Sequence, residues 1–188
     1  MKEGDTPDDL FIKCEERLEK GEIKNVDNVF RQMDLDARWT KKGNDRFFGY
    51  KDHVKCDKDS KIITDFSVTD ASVHDSQELI ELVSKDDHIV DLDSGYSGEA
   101  LRQAILEKCP DIELNVCTRA YRNRSLTDEE KAINKVISRR RCRIEHIFGY
   151  MTRFMCGLIL LCRGIIRAYR DICNKNLAYH LRRYVCIA

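Results

Sequence analysis

The sequence predicts an α/β fold in which a mixed sheet is flanked by helices. Two β-prone runs, residues 47–56 and 61–69, lie on either side of the polar segment Asp57–Ser60, which is typical of an antiparallel hairpin. Two shorter apolar runs, residues 88–92 and 112–118, then alternate with helical patterns and indicate two further strands. The resulting order, β-β-α-β-α-β-α-α, is the basis for the predicted class.

The starts of three helices are predicted from capping residues. The caps, in chain order, are Asp75 with Glu78, then Ser97, then Thr127 with Glu130. The third helix is long and extends to about Met151, and helical spacing continues from Leu158 to Tyr184.

Three regions are expected along the chain. Residues 1–45 have no sustained apolar periodicity, so we expect a largely irregular arm with one short helix. Residues 46–152 form the main α/β domain, and residues 153–188 form a helical segment that packs on it.

The charges of the chain are segregated. Its 188 residues include 33 Lys and Arg and 33 Asp and Glu, so the formal net charge is zero. Residues 1–113 nevertheless have a net charge of −11, and residues 114–188 a net charge of +11. The C-terminal part could therefore meet a polyanion such as DNA, although a basic helix face that is merely solvated remains an alternative.

The composition also argues against a membrane or secreted protein. No stretch approaches the roughly 20 apolar residues that span a bilayer, and the N-terminus has no apolar signal region. Nine cysteines, an odd number without a C-x-x-C pair, favour reduced thiols in the cytosol.

Two acidic residues are the main candidates for chemistry. Asp93 follows an apolar strand and precedes a Gly-containing turn, where it could bind a cation or simply cap the next helix. Glu145 borders the apolar stripe of the long helix, with Arg141 one turn earlier, so it is either half of an ion pair or a metal ligand. Together, the two carboxylates are of the type that binds a pair of Mg²⁺ ions for phosphoryl transfer. His74 is a weaker candidate, since a packed or solvent-facing role suits it better.

Four blocks of the sequence resemble successive blocks of the DDE transposases of bacterial insertion sequences, most closely insertion-sequence family five. These blocks are Asp34–Asp57, Val68–Ser76, Val90–Gly98 and Arg139–Met151, and the resemblance covers about residues 34–185. It implies an RNase H-like catalytic domain, with Asp93 and Glu145 as catalytic and metal-binding residues. It also implies Mg²⁺- or Mn²⁺-dependent cleavage and transfer of DNA strands at transposon ends, a homo-oligomeric active form, and a cytoplasmic, nucleoid-associated location when DNA is bound.

The helix signature of that group, Tyr-x2-Arg-x3-Glu-x6-Lys, is matched only in part. Arg141 and Glu145 fit it, whereas Ser138 and Thr152 stand at the Tyr and Lys positions, and Arg153 could replace the lysine at a phosphate. The candidate DNA contacts are Arg119, Arg122, Arg124, Arg139, Arg140, Arg141, Arg143 and Arg153.

The family's first catalytic Asp, on the central strand, has no counterpart in residues 1–33. We therefore expect an incomplete sheet without its first strand and a truncated chain that is inactive by itself. A non-catalytic DNA-binding remnant is the alternative, and an α/β fold whose basic helices face water is a third possibility.

Overall fold

The structure is a computed structural model that describes residues 7–30, 33–122, 124–157 and 159–187. Within these ranges, six helices, a 3-10 turn and five strands follow one another along the chain. The first elements are α1 (Pro7–Glu19), α2 (Val26–Phe30), β1 (Arg38–Lys42), β2 (Asp45–Cys56), β3 (Ile63–Asp70) and α3 (Asp75–Leu82). They are followed by β4 (Ile89–Leu92), the 3-10 turn Ser94–Tyr96, α4 (Glu99–Lys108), β5 (Glu113–Val116), α5 (Asp128–Phe154) and α6 (Ile165–Ile187).

The α/β class is confirmed, but the described strands form two sheets rather than one mixed sheet. Strands β1, β2 and β3 form a three-stranded sheet in that order, and β4 pairs with β5 in a second, two-stranded sheet. The β4–β5 pair is parallel, with Leu92 opposite Val116, as expected for strands joined by a helical crossover. The absence of a central strand stays a prediction.

Strand β1 and the helix content of the N-terminal arm were not predicted. The expected irregular arm with one short helix contains two helices, α1 and α2, and then β1. Strand β1 pairs antiparallel with the first half of β2, so that Trp39 lies opposite Phe48, with ring centroids 5.2 Å apart. The pair is joined by a two-residue turn in which Gly43 has a φ of 65°, a conformation that glycine adopts without strain.

The chain divides into two compact units. The first contains residues 1–52, 68–73 and 160–174, and the second contains residues 53–67, 74–159 and 175–188. The predicted boundaries at residues 45 and 152 stay predictions.

In the first unit, two aspartates satisfy backbone amides at the start of α6. Asp36 Oδ2 accepts a hydrogen bond from the Ile165 amide at 2.9 Å, and Asp34 Oδ2 accepts one from the Gly164 amide at 3.2 Å. The Tyr50 hydroxyl donates to the other Asp34 oxygen at 2.7 Å. Because the first amides of a helix have no partner within it, these carboxylates act as a cap supplied from a distant part of the chain.

The second unit has two apolar clusters. One cluster is built on Ile63, Ile147, Met151 and Tyr179, and it joins α5 and α6 to the β2–β3 hairpin. The other is built on Val83, Ile105, Cys109 and Ile112, and it packs α3 and α4 against the β4–β5 pair. These clusters bury only part of the predicted apolar faces, since on α5 Ile147 and Met151 are buried whereas Val136 is 55% exposed.

The helix caps were predicted correctly in one case of three. The capping box at the start of α5 is confirmed, since Thr127 and Glu130 exchange hydrogen bonds of 3.2 Å and 2.9 Å. The cap of α3 is His74 rather than Asp75, because the His74 ring accepts from the Ser76 amide. The cap of α4 is Gly98 rather than Ser97.

Two compositional expectations can be compared with the structure. All nine cysteines lie within the described residues and have free thiols. Among the same residues, no helix combines the length and apolar character that crossing a bilayer requires.

Candidate active site

Asp93 lies directly after strand β4, at the carboxyl end of the parallel strand pair. Its backbone is extended, and its side chain accepts a hydrogen bond from the Ser94 amide at 2.7 Å, so Asp93 caps the 3-10 turn Ser94–Tyr96. The residue is exposed. The capping interpretation is thus confirmed for the 3-10 turn, whereas binding of a cation by Asp93 stays a prediction.

Glu145 lies in the second half of α5 and pairs with Arg141 one turn earlier. The distance between Arg141 Nη2 and Glu145 Oε1 is 3.1 Å, and the Glu145 side chain is 61% exposed. The i,i+4 ion pair predicted from the sequence is thus present. Because the pair is exposed, its own contribution to stability is about 0.3–0.5 kcal/mol.

Tyr96 connects the two candidates electrostatically. Burial, together with the negative charges of Asp75 and Asp93, raises the pKa of Tyr96 to about 12, and the positive charge of Arg141 opposes this rise. The charges of Asp93 on one element and of Arg141, the partner of Glu145, on another therefore both act on the Tyr96 hydroxyl. It stays protonated at physiological pH, so it can donate a hydrogen bond.

Asp75 and His53 extend this polar cluster. The distance between His53 Nδ1 and Asp75 Oδ1 is 3.6 Å, with the His53 side chain buried and the Asp75 side chain 54% exposed. Asp75 is the first residue of α3, where the helix dipole favours a negative charge. The sequence had suggested only a capping role for Asp75, and no local pattern indicated that it would lie near Tyr96.

An ion pair fixes α5 against β4 and so sets the position of Glu145. Arg140 Nη2 lies 2.7 Å from Asp91 Oδ1, and the two side chains are 34% and 12% exposed. Asp91 is the third residue of β4, two positions before Asp93. Arg140 therefore has a structural partner that the sequence prediction of a DNA contact did not include.

The eight candidate DNA contacts divide into two groups. Four arginines are engaged within the chain: Arg124 with Glu130, Arg140 with Asp91, Arg141 with Glu145, and Arg143 with the carbonyl of Lys58. The other four are exposed, namely Arg119, Arg122, Arg139 and Arg153. The guanidinium of Arg153 lies 5.6 Å from the ring centroid of its neighbour Phe154.

A divalent cation such as Mg²⁺ needs several oxygen ligands held together. Carboxylate oxygens are the ligands that Mg²⁺ and Mn²⁺ prefer, so the chemistry of Asp93 and Glu145 fits. Within the described parts of the chain, however, no group of three or more His, Cys, Asp and Glu side chains is placed to hold a metal ion. The residues present thus provide ligands of the right kind but do not assemble a complete metal site.

Carboxylates at a strand end and an arginine-rich helix occur on folds with many functions, so they do not define the class of protein by themselves. The comparison with protein families identifies this class. The chain matches the family described as "Transposase DDE domain" over residues 12–181, and it therefore belongs to the DDE transposase family. This family acts in DNA transposition and generally uses a divalent metal. None of the solved structures matches the chain.

Proposed function

We propose that this chain is the DNA-processing part of a transposase that cleaves and transfers strands at the ends of a bacterial insertion sequence of the family-five type. In this proposal, Asp93 and Glu145 are two of the carboxylates that bind Mg²⁺ or Mn²⁺. The observation that carries it is the 2.7 Å ion pair between Arg140 and Asp91, which holds α5, the helix of Glu145, against the strand that ends just before Asp93. Membership of the DDE transposase family supports the same assignment.

The side chains around Tyr96 have separable roles in this proposal. Arg141 holds the Glu145 carboxylate through a 3.1 Å contact, and Arg140 holds α5 against β4. Tyr96 provides a protonated hydroxyl beside Asp93, since its pKa is about 12. The exposed arginines contact DNA phosphates, and we expect the active form to be a homo-oligomer because transposition joins paired ends.

The described residues contribute an incomplete set of metal ligands, so we expect the isolated polypeptide to leave DNA uncut. The assay is incubation with a supercoiled plasmid carrying the element's ends, in Mg²⁺ and separately in Mn²⁺, with nicked and linear products resolved on a gel. If the wild-type chain and the Asp93→Asn variant nick the plasmid to the same extent, the nicking comes from a contaminating nuclease, and this result agrees with the expectation. Robust nicking that Asp93→Ala and Glu145→Ala both abolish would show that the chain completes its site alone.

A non-catalytic DNA-binding protein is the second candidate, and the four exposed arginines favour it. Fluorescence anisotropy with a labelled duplex distinguishes arginines that contact phosphate from arginines that stabilise the fold. We expect Arg139→Ala to weaken binding and to reduce the log–log salt slope by about 0.9. The matched control is Arg102→Ala, because Arg102 is an exposed arginine on α4, outside the basic region.

The two assays separate the candidates. Salt-dependent binding without nicking under any metal condition fits a chain that has only the DNA-binding part of the function. A salt slope near zero excludes both DNA-related functions and leaves the third possibility, a basic surface that only faces water.

A further inference from the structure

Lys61, in the turn between β2 and β3, has a backbone conformation that residues with a side chain disfavour. Its φ is 58°, in the left-handed region where the Cβ atom crowds the backbone and where glycine is the usual residue. The turn between β1 and β2 has the same conformation at a glycine, since Gly43 has a φ of 65°. The path of the chain alone therefore does not explain a lysine at position 61, and a strained residue of this kind points to a function.

The turn is closed by hydrogen bonds between its own residues. The Asp57 amide donates to the Ile62 carbonyl at 2.9 Å, and the Lys61 amide donates to the Asp57 carbonyl at 3.0 Å. The Asp57 carboxylate also accepts from the Ser60 amide and from the Ser60 hydroxyl, each at 2.7 Å. Lys61 enters this network through its main-chain amide, so a glycine at this position would keep the network.

Helices α5 and α6 fix the turn from outside. On α6, the Tyr179 hydroxyl donates to the Lys61 carbonyl at 3.0 Å, and Arg183 donates to the carbonyl that precedes it in the turn. On α5, Arg143 donates to the Lys58 carbonyl at 3.2 Å. All three contacts end on main-chain carbonyls, so they hold the turn without using the Lys61 side chain and fix the direction in which that side chain leaves the turn.

The Lys61 ammonium lies against α5, one position from Glu145. The distance between Lys61 Nζ and His146 Nδ1 is 3.1 Å, and His146 directly follows Glu145 along the helix. An ammonium group can only donate, so the His146 ring accepts this hydrogen bond and does not balance the lysine charge. Among the described residues, Lys61 forms no ion pair with a carboxylate. The contact thus leaves a positive charge uncompensated.

The charged groups near the turn add to this positive character. Arg143 and Arg183 bring two guanidinium groups to the turn, each bound to a carbonyl through Nε. Of the carboxylates, Glu145 is paired within α5 and Asp57 binds groups of the turn, whereas Asp59 is exposed. The turn and the adjacent part of α5 therefore form a cationic surface that suits an oxyanion such as a phosphate.

We propose that Lys61 is a phosphate-binding residue, and that its ligand is a phosphodiester of the DNA strand that lies beside Glu145. This inference rests on the proposed function, because it takes DNA as the partner and Glu145 as part of the site. The strained backbone is kept because a lysine held in one direction loses less side-chain freedom on binding than a mobile surface lysine does. Lys61 acts in addition to the exposed arginines and from a different element of the fold.

The test measures stability and DNA binding in the same variants. Lys61→Gly removes the ammonium and the backbone strain together, so we expect it to unfold at the same or a higher urea concentration than wild type. In fluorescence anisotropy with a labelled duplex at about 0.1 M salt, its dissociation constant is expected to rise roughly threefold to tenfold, which corresponds to the loss of about one phosphate contact. Lys61→Arg keeps the charge and is expected to bind within roughly twofold of wild type.

Two controls separate charge from strain. Lys58→Ala removes an exposed lysine of the same turn and is expected to weaken DNA binding less than Lys61→Gly does. Gly43→Ala introduces a side chain where φ is 65°, so it is expected to lower the urea midpoint and to leave DNA binding unchanged.

Equal DNA binding by wild type and Lys61→Gly would refute the role of Lys61 and leave the proposed function intact. A lower urea midpoint for Lys61→Gly would mean that the side chain serves the fold, and would overturn the proposal as well. A wild-type chain that binds no DNA at any salt concentration would contradict the proposed function and this inference together. Inorganic phosphate that shifts the His146 ring signals in NMR, with DNA binding unchanged in Lys61→Gly, would assign the site to a free anion and so overturn the proposal.

Discussion

The ion pair between Arg140 and Asp91 is expected to be the main electrostatic contact that holds α5 on β4. Asp91 is 12% exposed, so the loss of its partner would leave a carboxylate that is largely removed from water. Replacement by Arg140→Met keeps most of the apolar stem and removes the guanidinium. A hydrogen bond to a charged group is worth about 1.5–3 kcal/mol, and breaking a fully buried ion pair costs about 3–5 kcal/mol.

Because Arg140 is 34% exposed, water partly screens the pair. We therefore expect Arg140→Met to lower the free energy of unfolding by the smaller of these two ranges, about 1.5–3 kcal/mol. The assay is urea unfolding followed by circular dichroism, with the free energy of unfolding extrapolated to water. The neighbouring Arg139→Met is the matched control, because Arg139 is exposed and its substitution is expected to change stability by less than about 0.5 kcal/mol.

A double-mutant cycle with Asp91→Asn isolates the contribution of the pair itself. We expect a coupling free energy above about 0.5 kcal/mol, since the two groups are 2.7 Å apart. Equal losses for Arg140→Met and Arg139→Met, or no coupling in the cycle, would refute the assignment of Arg140 to the fold and would restore it as a candidate DNA contact.

Three further predictions follow from individual contacts. Tyr96 is expected to ionise near pH 12, and Asp93→Asn or Asp75→Asn is expected to lower that pKa. The measurement is the part of the phenolate absorbance that Tyr96→Phe removes. An unchanged titration in both variants would mean that these carboxylates do not act on the hydroxyl. Because the folded-state pKa is raised above about 10, the neutral phenol contributes stability that is present below pH 10 and lost as the pH rises toward 12. Burial opposes ionisation of Asp87, but hydrogen bonds from the Ser84 amide and from Lys55 outweigh it and hold the pKa of Asp87 below its usual value. Asp87→Asn should therefore cost stability at neutral pH, and this cost should shrink as the pH falls below about 4 and vanish after the pH has passed the lowered pKa. A cost that does not change with pH would contradict this. Asp36→Ala should lower the free energy of unfolding by about 1 kcal/mol in urea, because the Ile165 amide at the start of α6 loses its acceptor. Asp36→Asn keeps an acceptor oxygen and should lower the free energy of unfolding by less. Equal losses in the two variants would exclude the capping role.

The elements that the sequence predicted well have local signals. Strands β2 and β3 are long β-prone runs, and α5 begins at a capping box whose two residues lie three positions apart. Strand β1 lacks such a signal, because its sequence RWTKK is short and charged and becomes a strand by pairing with β2. Tertiary pairing therefore overrode the local propensity there.

The candidate site likewise has features that the neighbouring sequence predicts and contacts between distant elements that it does not predict. Asp93 could be placed at a strand end, and Glu145 on a helix beside Arg141, because both inferences need only the neighbouring sequence. The approach of Asp75 to Tyr96 joins two elements, and the partner of Arg140 lies 49 positions earlier in the chain. No periodic pattern encodes such contacts, so the sequence alone could not show that four of the candidate arginines have partners within the chain.

The internal partners of these arginines have a measurable consequence for DNA binding. If all eight candidate arginines neutralised phosphates, the slope of log binding constant against log salt would be about −7, at about 0.9 for each phosphate. Arg124, Arg140, Arg141 and Arg143 already have partners within the chain, which leaves four exposed arginines and an expected slope of about −4. A salt titration by fluorescence anisotropy distinguishes the two values, with Arg102→Ala as the control for general charge. A slope near −7 would mean that the four arginines with internal partners contact phosphates as well.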